Sequence, residues 1–241
     1  MSRLTLATCC TFGLKFGRVM TAPYSFSKIN TYRTCGWQYR AKYVTKEVKF
    51  TQSPQALWGT ETHECAEHYI NEGKPITPRF EVLQPYLTAL DQMEGTKRAE
   101  VEFAIKEDLT PCGFWETDAM LRGKLDVLVD QGDKAIIIDW KTGKARPNDR
   151  DELRCFSVLT FLNKPEIEKT KNTYIWLKND APMTVEYWTR DKVGELLEPL
   201  QETMQKIEHD TCYDTFKPRP GGLCKSYCDA PCKFNARFPL K

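Results

Sequence analysis

Apolar and polar positions change period along this chain, and each change predicts a different element. Apolar residues at 29, 32, 39 and 43 recur at roughly helical spacing behind Ser25-Phe26-Ser27, which predicts a capped helix. Ser53-Pro54 predicts the start of a second helix, with proline in its first turn, and Gly73-Lys74-Pro75 predicts its end. A third, shorter helix is predicted around 82–94.

Strand patterns follow in the middle of the chain. Alternation at 99–106 predicts a strand, and two apolar runs at 123–129 and 134–141 flank Asp-Gln-Gly-Asp, which predicts a hairpin. Beyond a loop at 143–148, the pattern predicts a helix at 149–162, strands at 173–177 and 184–189 around an Asn-Asp turn, a long amphipathic helix at 191–209, and a break at 218–222. This order predicts one α/β core with helical flanks.

The hairpin is the most informative part of the chain because its register brings three charged side chains together. A two- or four-residue loop sets Asp126 opposite Ile137. Since side chains alternate with a period of two, Asp126, Asp139 and Lys141 then share a face, and the two aspartates become diagonal neighbours roughly 7–8 Å apart. Two such carboxylates can share a Mg²⁺ ion, and the lysine can orient water or steady a developing phosphate charge.

An ordinary charged strand end at a solvated sheet edge is the alternative interpretation. The acid-x-Lys spacing also occurs at 47/49 and 72/74, so the spacing alone is worth little. Only Asp139 and Lys141 follow an apolar strand that has an aspartate on the strand before it. The hairpin therefore makes phosphodiester cleavage the leading hypothesis.

Composition and charge change this picture in part. An apolar content of 41% is enough for a packed core, and a net charge of +2 gives no bulk signature of polyanion binding. Residues 1–50, however, hold nine basic residues and one acid, and the last part of the chain adds Lys217, Arg219, Lys225, Lys233, Arg237 and Lys241. If the termini meet in space, they form a basic surface suited to phosphate backbones; ordinary solvated side chains are the alternative.

The terminal segments bear on organisation and location. No apolar run reaches the 18 or more residues of a membrane span, so no membrane partner is expected. Residues 4–14 are mildly apolar but lack a clear cleavage site, which disfavours secretion and favours a cytoplasmic protein, in the host cytoplasm if viral. We expect a loosely ordered extension at 1–19, with Met20 as a second possible start, and one domain at 20–241 that includes a cysteine-rich tail at 212–234.

The chain has ten cysteines, and without a convincing leader they favour metal binding over disulfides. Cys224, Cys228 and Cys232 place three thiols within nine residues after a Gly-Gly turn, so a fourth ligand must come from elsewhere. Zn²⁺ could fill such a site, with Cys212 or His209 as spare ligands. Free buried thiols are the alternative.

Four segments together resemble the PD-(D/E)XK nuclease superfamily, in its RecB-like exonuclease branch of the iron–sulfur type, which is related to the CRISPR adaptation nucleases and the AddB nuclease domain. They are Gly59-Thr60-Glu61-Thr62-His63, Glu102, Asp126 and Asp139-Trp140-Lys141-Thr142-Gly143. The resemblance spans about residues 24–234 and includes the opening Ser25-Phe26-Ser27 with Tyr32 and Cys35. It implies a restriction-endonuclease-like fold, in which helices flank a central mixed β-sheet and a cysteine-rich clasp ends the chain.

The resemblance also implies particular site residues. The implied ligands of a Mg²⁺ or Mn²⁺ ion are His63, Asp126, Asp139 and the backbone carbonyl of Trp140. The implied catalytic set is Lys141, Asp139, Asp126 and Glu102, where Glu102 matches the family's strand glutamate and Glu100 is its rival. One motif departs from the family, because Glu152 and Phe156 stand where a glutamine and a tyrosine are usual at the start of the next helix.

Iron–sulfur members of this branch carry a cysteine at the position of Cys35. The resemblance therefore implies a [4Fe–4S] cluster on Cys35, Cys224, Cys228 and Cys232, which would pin the basic first helix to the basic tail. Those members usually space the last three cysteines as C-x2-C-x5-C, whereas this chain has C-x3-C-x3-C.

The sequence thus predicts a metal-dependent DNA nuclease, acting as an exonuclease on DNA ends or single strands in recombination, repair or phage-type replication. The candidate nucleic-acid contacts are Lys28, Arg33, Arg40 and Lys144. The chain lacks the G-x-x-x-x-G-K-[ST] motif of helicases, so a helicase or recombinase partner would be a separate protein. Two alternatives stay open: a non-catalytic nucleic-acid-binding module with a cysteine-bound zinc or iron–sulfur clasp, and a zinc-clasped structural protein.

Overall fold

The computed structural model describes residues 23–48, 53–144, 150–178 and 182–239. The chain divides into two compact units, one formed by residues 1–49 and 201–241 and the other by residues 50–200. We call them the cysteine unit and the sheet unit. The predicted extension at 1–19, most of the predicted loop at 143–148 and the Asn-Asp turn lie outside the described residues.

Helices come first, strands dominate the middle, and helices end the chain. In order the elements are α1 Phe26–Thr34, α2 Gly36–Tyr39, a π-helical turn Arg40–Val44, α3 Pro54–Glu72, a 3-10 turn Pro78–Leu83, α4 Gln84–Asp91, β1 Thr96–Ile105, β2 Pro111–Cys112, β3 Leu121–Asp130, β4 Lys134–Lys141, α5 Asp151–Asn163, β5 Lys169–Trp176, β6 Thr184–Thr189, a 3-10 turn Arg190–Lys192, α6 Val193–Tyr213 and α7 Leu223–Ser226. Two residues carry no period, so no sequence pattern predicts β2.

The ends of the first two long helices follow from local chemistry. The Ser25 hydroxyl accepts a hydrogen bond from the Lys28 backbone N–H at the start of α1, and the Ser53 hydroxyl accepts one from Ala56 at the start of α3. Each serine satisfies a backbone donor that has no partner within the helix. Gly73 ends α3 with φ of +69°, a left-handed conformation that glycine adopts at little cost. These boundaries confirm the predicted caps.

A six-stranded mixed sheet forms the centre of the sheet unit, with the strand order β2-β1-β3-β4-β5-β6. β4 and β5 run parallel, and the other neighbouring strands run antiparallel. A parallel pair needs a crossover connection, which α5 supplies. The result is the predicted α/β fold, a restriction-endonuclease-like mixed sheet with helices on its flanks.

The predicted hairpin of β3 and β4 closes through a two-residue loop. The Gln131 backbone N–H donates to the Lys134 carbonyl at 2.9 Å, which leaves Gly132 and Asp133 as the loop. Gly132 has φ of +88°, as the first position of such tight turns requires. The turn residues of the sequence therefore act as predicted.

The register of this hairpin differs from the prediction by two residues. Ile137 pairs with Leu128 rather than with Asp126. Because the two-residue loop lies at Gly132-Asp133, one position later than the 131–132 that the predicted register requires, each residue of β3 meets a partner two places further along β4. Asp126 therefore stands level with Asp139 and is not its diagonal neighbour, and the even shift keeps the predicted alternation of faces.

Helices cover both faces of the sheet. On one face, α3 and α4 bury Ala66, Leu87 and Leu90 against Val127 and Trp140. On the other face lies α5, and its approach to β3 is so close that a Cβ atom on Gly123 would come within 2.7 Å of Leu159. Only glycine permits that distance, since the neighbouring side chain is itself packed. The strands that carry the candidate site are thus fixed from both sides.

The cysteine unit brings the two ends of the described chain together. Tyr39 of α2 stacks on Phe216 with ring centroids 6.0 Å apart, and the Trp37 indole N–H donates to the Pro231 carbonyl at 2.7 Å. The Tyr32 hydroxyl donates to Asp210 on α6 at 2.7 Å.

In the described part of the chain, no helix is both long and apolar enough to cross a bilayer.

Candidate active site

Three side chains from three elements form a cluster with the composition of a metal site. His63 comes from the middle of α3, Glu100 from β1 and Asp126 from β3. One ligand atom from each lies within 4.8 Å of the others. An imidazole nitrogen with carboxylate oxygens suits Mg²⁺ or Mn²⁺. The residues present therefore fit a divalent cation, and we call them the metal cluster.

Glu100 reaches the cluster through an unusual backbone conformation. The pairs Ala99–Val127 and Val101–Leu125 flank it, so Glu100 stands level with Asp126 on the neighbouring strand. Its φ of +56° is left-handed, which is uncommon for a residue other than glycine and costs on the order of 1–3 kcal/mol. Such strain is typical of functional sites, where the surrounding structure holds it in place.

His63 lies between two of the predicted metal ligands. Its Nδ1 is 3.2 Å from Asp126 Oδ1, and its Nε2 is 3.0 Å from the carbonyl oxygen of Trp140. Burial lowers the pKa of His63, but the hydrogen bond and charge of Asp126, with the charges of Asp139 and Glu100, raise this pKa to about 9. A metal ion binds the neutral imidazole, so a cation here competes with that proton.

Asp126 is held where the β3–β4 ladder ends. The last backbone pair is Val127 with Ile138, and beyond it the Trp140 N–H donates to Asp126 Oδ2 at 2.7 Å. The carboxylate thus replaces a ladder hydrogen bond. Because the Trp140 side chain is buried in the core on the other face, the same residue fixes its own N–H and carbonyl at the site. Packing and coordination geometry are therefore linked through Trp140.

Asp139 and Lys141 form the second part of the site. Asp139 is 4% exposed, and burial together with the charge of Asp126 raises its pKa well above the usual range. The ammonium of Lys141 lies 2.7 Å from Asp139 Oδ2, and its charge opposes the rise in this pKa. A buried carboxylate is expensive without a positive partner, and here the lysine is such a partner.

Lys141 is held by a second carboxylate as well. Its Nζ donates to Glu152 Oε2 at 2.5 Å and lies 4.7 Å above the centre of the Tyr174 ring. Burial lowers the pKa of Lys141, but the charges of Asp139 and Glu152 outweigh it and raise this pKa above its ordinary value. The lysine is therefore a fixed positive charge at neutral pH.

Two glutamates, Glu100 and Glu152, have contacts in this site that the sequence does not assign to them. The structure places Glu100, the rival, in the metal cluster, whereas Glu102 is exposed and lies outside it. Glu152 stands where the resemblance expects glutamine, and it contacts Lys141 directly. The sequence marks position 152 as a departure, but no pattern in it predicts the contact, because the two residues come from a strand and from the helix after it. Phe156, the second departure, is buried against Gly123.

The four predicted nucleic-acid contacts are divided between the two units: Lys28, Arg33 and Arg40 belong to the cysteine unit, and Lys144 belongs to the sheet unit. Arg40 is bound by Asp214 through two hydrogen bonds of 2.6 and 3.0 Å. Lys28 donates to the Pro23 carbonyl, and Arg33 donates to Thr203. Lys144 is exposed in the sheet unit at the last described position before residue 145. Their contact with nucleic acid stays a prediction.

The four predicted cluster cysteines line one small pocket of the cysteine unit, together with Trp37. They are Cys35, Cys224, Cys228 and Cys232, and all four are free of disulfides. The Arg219 N–H points to the Cys35 sulfur at 3.3 Å, and the Gly221 N–H points to the Cys224 sulfur at 3.4 Å. Backbone N–H groups that point to sulfur are common at thiolate-bound metal centres. Among the described residues, however, the four sulfur atoms do not form a group in which all lie within 4.8 Å of one another. Among the residues that line this cavity, neither His209 nor Cys212 occurs.

Comparisons with known proteins agree with this geometry. The family model of the PD-(D/E)XK nuclease superfamily matches residues 23–232, so the chain belongs to that superfamily, as its motifs predict. The chain is similar to a crystal structure described as "Putative exonuclease" from Eubacterium rectale, with a TM-score of 0.53 and 11% identity over 86% of this chain and 87% of that one. At this identity the likeness shows the fold alone.

A second solved structure, that of the protein SSO0001, has a TM-score of 0.44 and 17% identity over 87% of this chain and 84% of that one. At that TM-score it supports no argument. Comparison with curated proteins finds no match.

Proposed function

We propose that this nuclease-family protein is a Mg²⁺- or Mn²⁺-dependent deoxyribonuclease that acts as an exonuclease on DNA ends or single strands. One observation carries the proposal. The metal cluster of His63, Glu100 and Asp126 adjoins Asp139 and a charged Lys141, in a chain of the PD-(D/E)XK superfamily. The setting we propose is recombination, repair or phage-type replication in the cytoplasm, with any helicase or recombinase as a separate protein.

The residues of the site divide the work between holding a cation and stabilising charge. His63, Glu100, Asp126, Asp139 and the Trp140 carbonyl are the candidate ligands. When bound, the cation polarises the scissile phosphate and lowers the pKa of the attacking water. Lys141 is held by carboxylates in a fixed position, where its ammonium can stabilise the charge that develops on the phosphate. The Glu102 assignment has no support from the geometry.

A cleavage assay with end-labelled DNA tests the proposal. We expect the protein to cut linear single-stranded DNA with Mg²⁺ or Mn²⁺ but not with EDTA, and Asp139→Asn to remove that activity. Asp133→Asn is a matched control, because Asp133 is exposed in the hairpin turn. Cleavage that resists EDTA, or an Asp139→Asn variant with full activity, would contradict the proposal.

Circular single-stranded DNA separates the modes of action. An exonuclease leaves the circle intact and degrades the same molecule once it is linearised, whereas an endonuclease opens the circle. Binding without cutting of either form, at any concentration of either metal, would support the alternative of a non-catalytic nucleic-acid-binding module.

We also propose that the cysteine unit holds a [4Fe–4S] cluster, which would assign the protein to the RecB-like iron–sulfur branch. The support is that Cys35 joins the three tail cysteines around one cavity although their spacing departs from the usual pattern. Anaerobically purified protein should be coloured and contain iron and acid-labile sulfide, and Cys212→Ser should retain them. A colourless sample that contains zinc would establish the zinc alternative, and one without either metal would end both.

A further inference from the structure

Trp115 is a large aromatic residue that the fold leaves in solvent. It lies in the segment between β2 and β3 and is 74% exposed. An indole exposed to this extent contributes little to a core, and an exposed aromatic residue becomes informative when neighbouring groups form a patch with it. Its neighbour Phe114 meets it edge to face, with ring centroids 5.1 Å apart.

Arg122 holds this aromatic pair in place. Its guanidinium lies 4.8 Å from the centroid of each ring, and one of its N–H groups donates to the Phe114 carbonyl at 3.1 Å. Within the described part of the chain, no carboxylate is within ion-pair distance of Arg122. The exposed indole is thus oriented by a cation whose charge is not neutralised by an acid.

The acidic residues of the same segment are already paired. Lys106 lies 3.3 Å from Glu116 and 2.8 Å from Asp118, and Glu116 also accepts a hydrogen bond from the Gly113 N–H. These contacts fix the segment as a turn and offset its negative charge. The aromatic pair therefore lies on a turn that is fixed by ion pairs, next to the guanidinium of Arg122. This arrangement favours an anionic ligand with a flat apolar part.

The position of Arg122 relates this arrangement to the metal cluster. Arg122, Lys124 and Asp126 alternate along β3, and Lys124 contacts Glu100 of the cluster at 2.6 Å. Gly123, between the first two, faces α5 instead. Arg122 and Asp126 are four residues apart on the strand, which corresponds to about 13 Å. This distance equals about four nucleotides of a stacked strand at ~3.4 Å each, and fewer nucleotides of an extended strand.

We propose that Trp115 is a stacking platform for an unpaired base of single-stranded DNA, with Arg122 contacting the adjoining phosphate, a few nucleotides from the scissile bond. This inference rests on the proposed nuclease function and names the part of the substrate that the site would read. Aromatic side chains bind single strands in this way, because every base has a face to stack and every nucleotide a phosphate to pair. A base within a duplex is already stacked and paired, so the platform would select unpaired ends.

The first test measures binding in EDTA, where cleavage does not interfere. Fluorescence anisotropy with a labelled oligothymidylate should show Trp115→Ala weakening binding about tenfold, and Trp115→Phe weakening it much less. Tyr187→Ala is the matched control, because Tyr187 is a 71% exposed aromatic residue on β6 of the same unit. Since both positions are exposed, the thermal unfolding of all variants should match that of the wild type.

The second test separates this inference from the proposed chemistry. A labelled abasic single strand has phosphodiesters but no bases, so Trp115→Ala should raise KM for the cleavage of oligothymidylate several-fold more than KM for the cleavage of the abasic strand. A wild-type protein that binds the oligonucleotide through Trp115 but hydrolyses neither substrate would contradict the proposed nuclease function and still support Trp115 as a stacking platform.

Three results would overturn the platform. Trp115→Ala could weaken binding no more than Tyr187→Ala does. It could weaken binding to a blunt-ended duplex or to an abasic strand as much as binding to oligothymidylate, which would exclude base stacking. It could leave DNA binding intact but change the mass measured by sedimentation, which would make Trp115 a protein–protein contact.

Discussion

The metal cluster of the sheet unit and the cysteine cavity of the other unit hold their candidate ligands in different ways. His63, Glu100 and Asp126 project from a long helix and two long strands. Cys35 lies between α1 and α2, Cys224 lies in the four-residue α7, and Cys228 and Cys232 lie in neither a helix nor a strand. The first set is placed by a packed core, whereas the second has little regular structure to place it.

This difference predicts different roles for the two metals that we propose. A site that the core preforms needs its cation for chemistry, and the cation adds only modestly to stability. A site built from loops and a short tail gains much of its order from the bonds to the metal, as small metal-bound domains do. The two regions therefore separate catalysis from structural support, and variants of each should fail in different assays.

The largest expected effect is on the rate of cleavage. Lys141→Ala should lower kcat on single-stranded DNA about 10²- to 10³-fold, because it removes the ammonium that we propose stabilises the charge developing on the phosphate. Lys134→Ala, at the exposed start of the same strand, is the control. Thermal unfolding should change little in Lys134→Ala, whereas Lys141→Ala should unfold at a lower temperature because buried Asp139 loses its ammonium partner, so kcat is compared at a temperature where both variants are folded. An active Lys141→Ala variant would place the catalytic cation elsewhere.

The next effect distinguishes two glutamates on β1. Glu100→Gln should weaken binding of Mn²⁺ about 10- to 100-fold in calorimetric titrations, since it removes a carboxylate of the cluster. Glu102→Gln should stay within about twofold of the wild type, because its side chain is exposed and outside the cluster. The reverse order of affinities would restore Glu102 as the ligand and contradict the geometry described above.

Cys228→Ser tests the other side of the comparison. If the cysteine unit binds a metal as proposed, this variant should lose it and become sensitive to limited proteolysis within residues 201–239, while peptides from residues 53–178 stay protected. Mass spectrometry of the fragments gives the cleavage sites, and Cys212→Ser serves as the control. Equal protection of the metal-free variant and the wild type would show that the tail is ordered without a metal.

The smallest expected effect concerns the charge beside Lys141. Glu152→Gln should lower kcat less than about tenfold, because Lys141 keeps Asp139 as a partner and a partly exposed ion pair contributes on the order of 1 kcal/mol. Asp151→Asn, in the same first turn of α5, controls for the helix dipole. A loss as large as that of Lys141→Ala would make Glu152 an essential positioning residue.

Local signals in the sequence predict the helices and strands well. The features that the sequence does not predict depend on contacts between residues far apart in the chain. Ser25, Ser53 and Gly73 mark helix ends because their chemistry is local. The hairpin turn is predicted, but its register is not, because Asp-Gln-Gly-Asp accommodates the loop at two positions and the pairing of the whole strands decides between them. The loop settles at Gly132-Asp133.

The candidate site shows the same limit. A period of two puts Glu100 and Glu102 on one face, so alternation cannot choose between them. The left-handed φ of Glu100 and its level position with Asp126 decide which of them joins the cluster. The contact of Glu152 with Lys141 likewise depends on how α5 crosses the sheet. These contacts depend on the tertiary structure, so they cannot be predicted from the local pattern of a single sequence.

The parallel pairing of β4 with β5 affects the order in which the site can form during folding. The β3–β4 hairpin closes through two residues, and hairpins of this kind form within microseconds. Asp139 and Lys141 acquire their neighbours Tyr174 and Trp176 only when β5 docks after α5, a non-local step that is slower. A partly folded chain in which β5 has not docked therefore has the turn of the hairpin formed, while Asp139 and Lys141 still lack their neighbours on β5. Cleavage activity should therefore return after the hairpin in refolding, as the last property that the sheet unit regains.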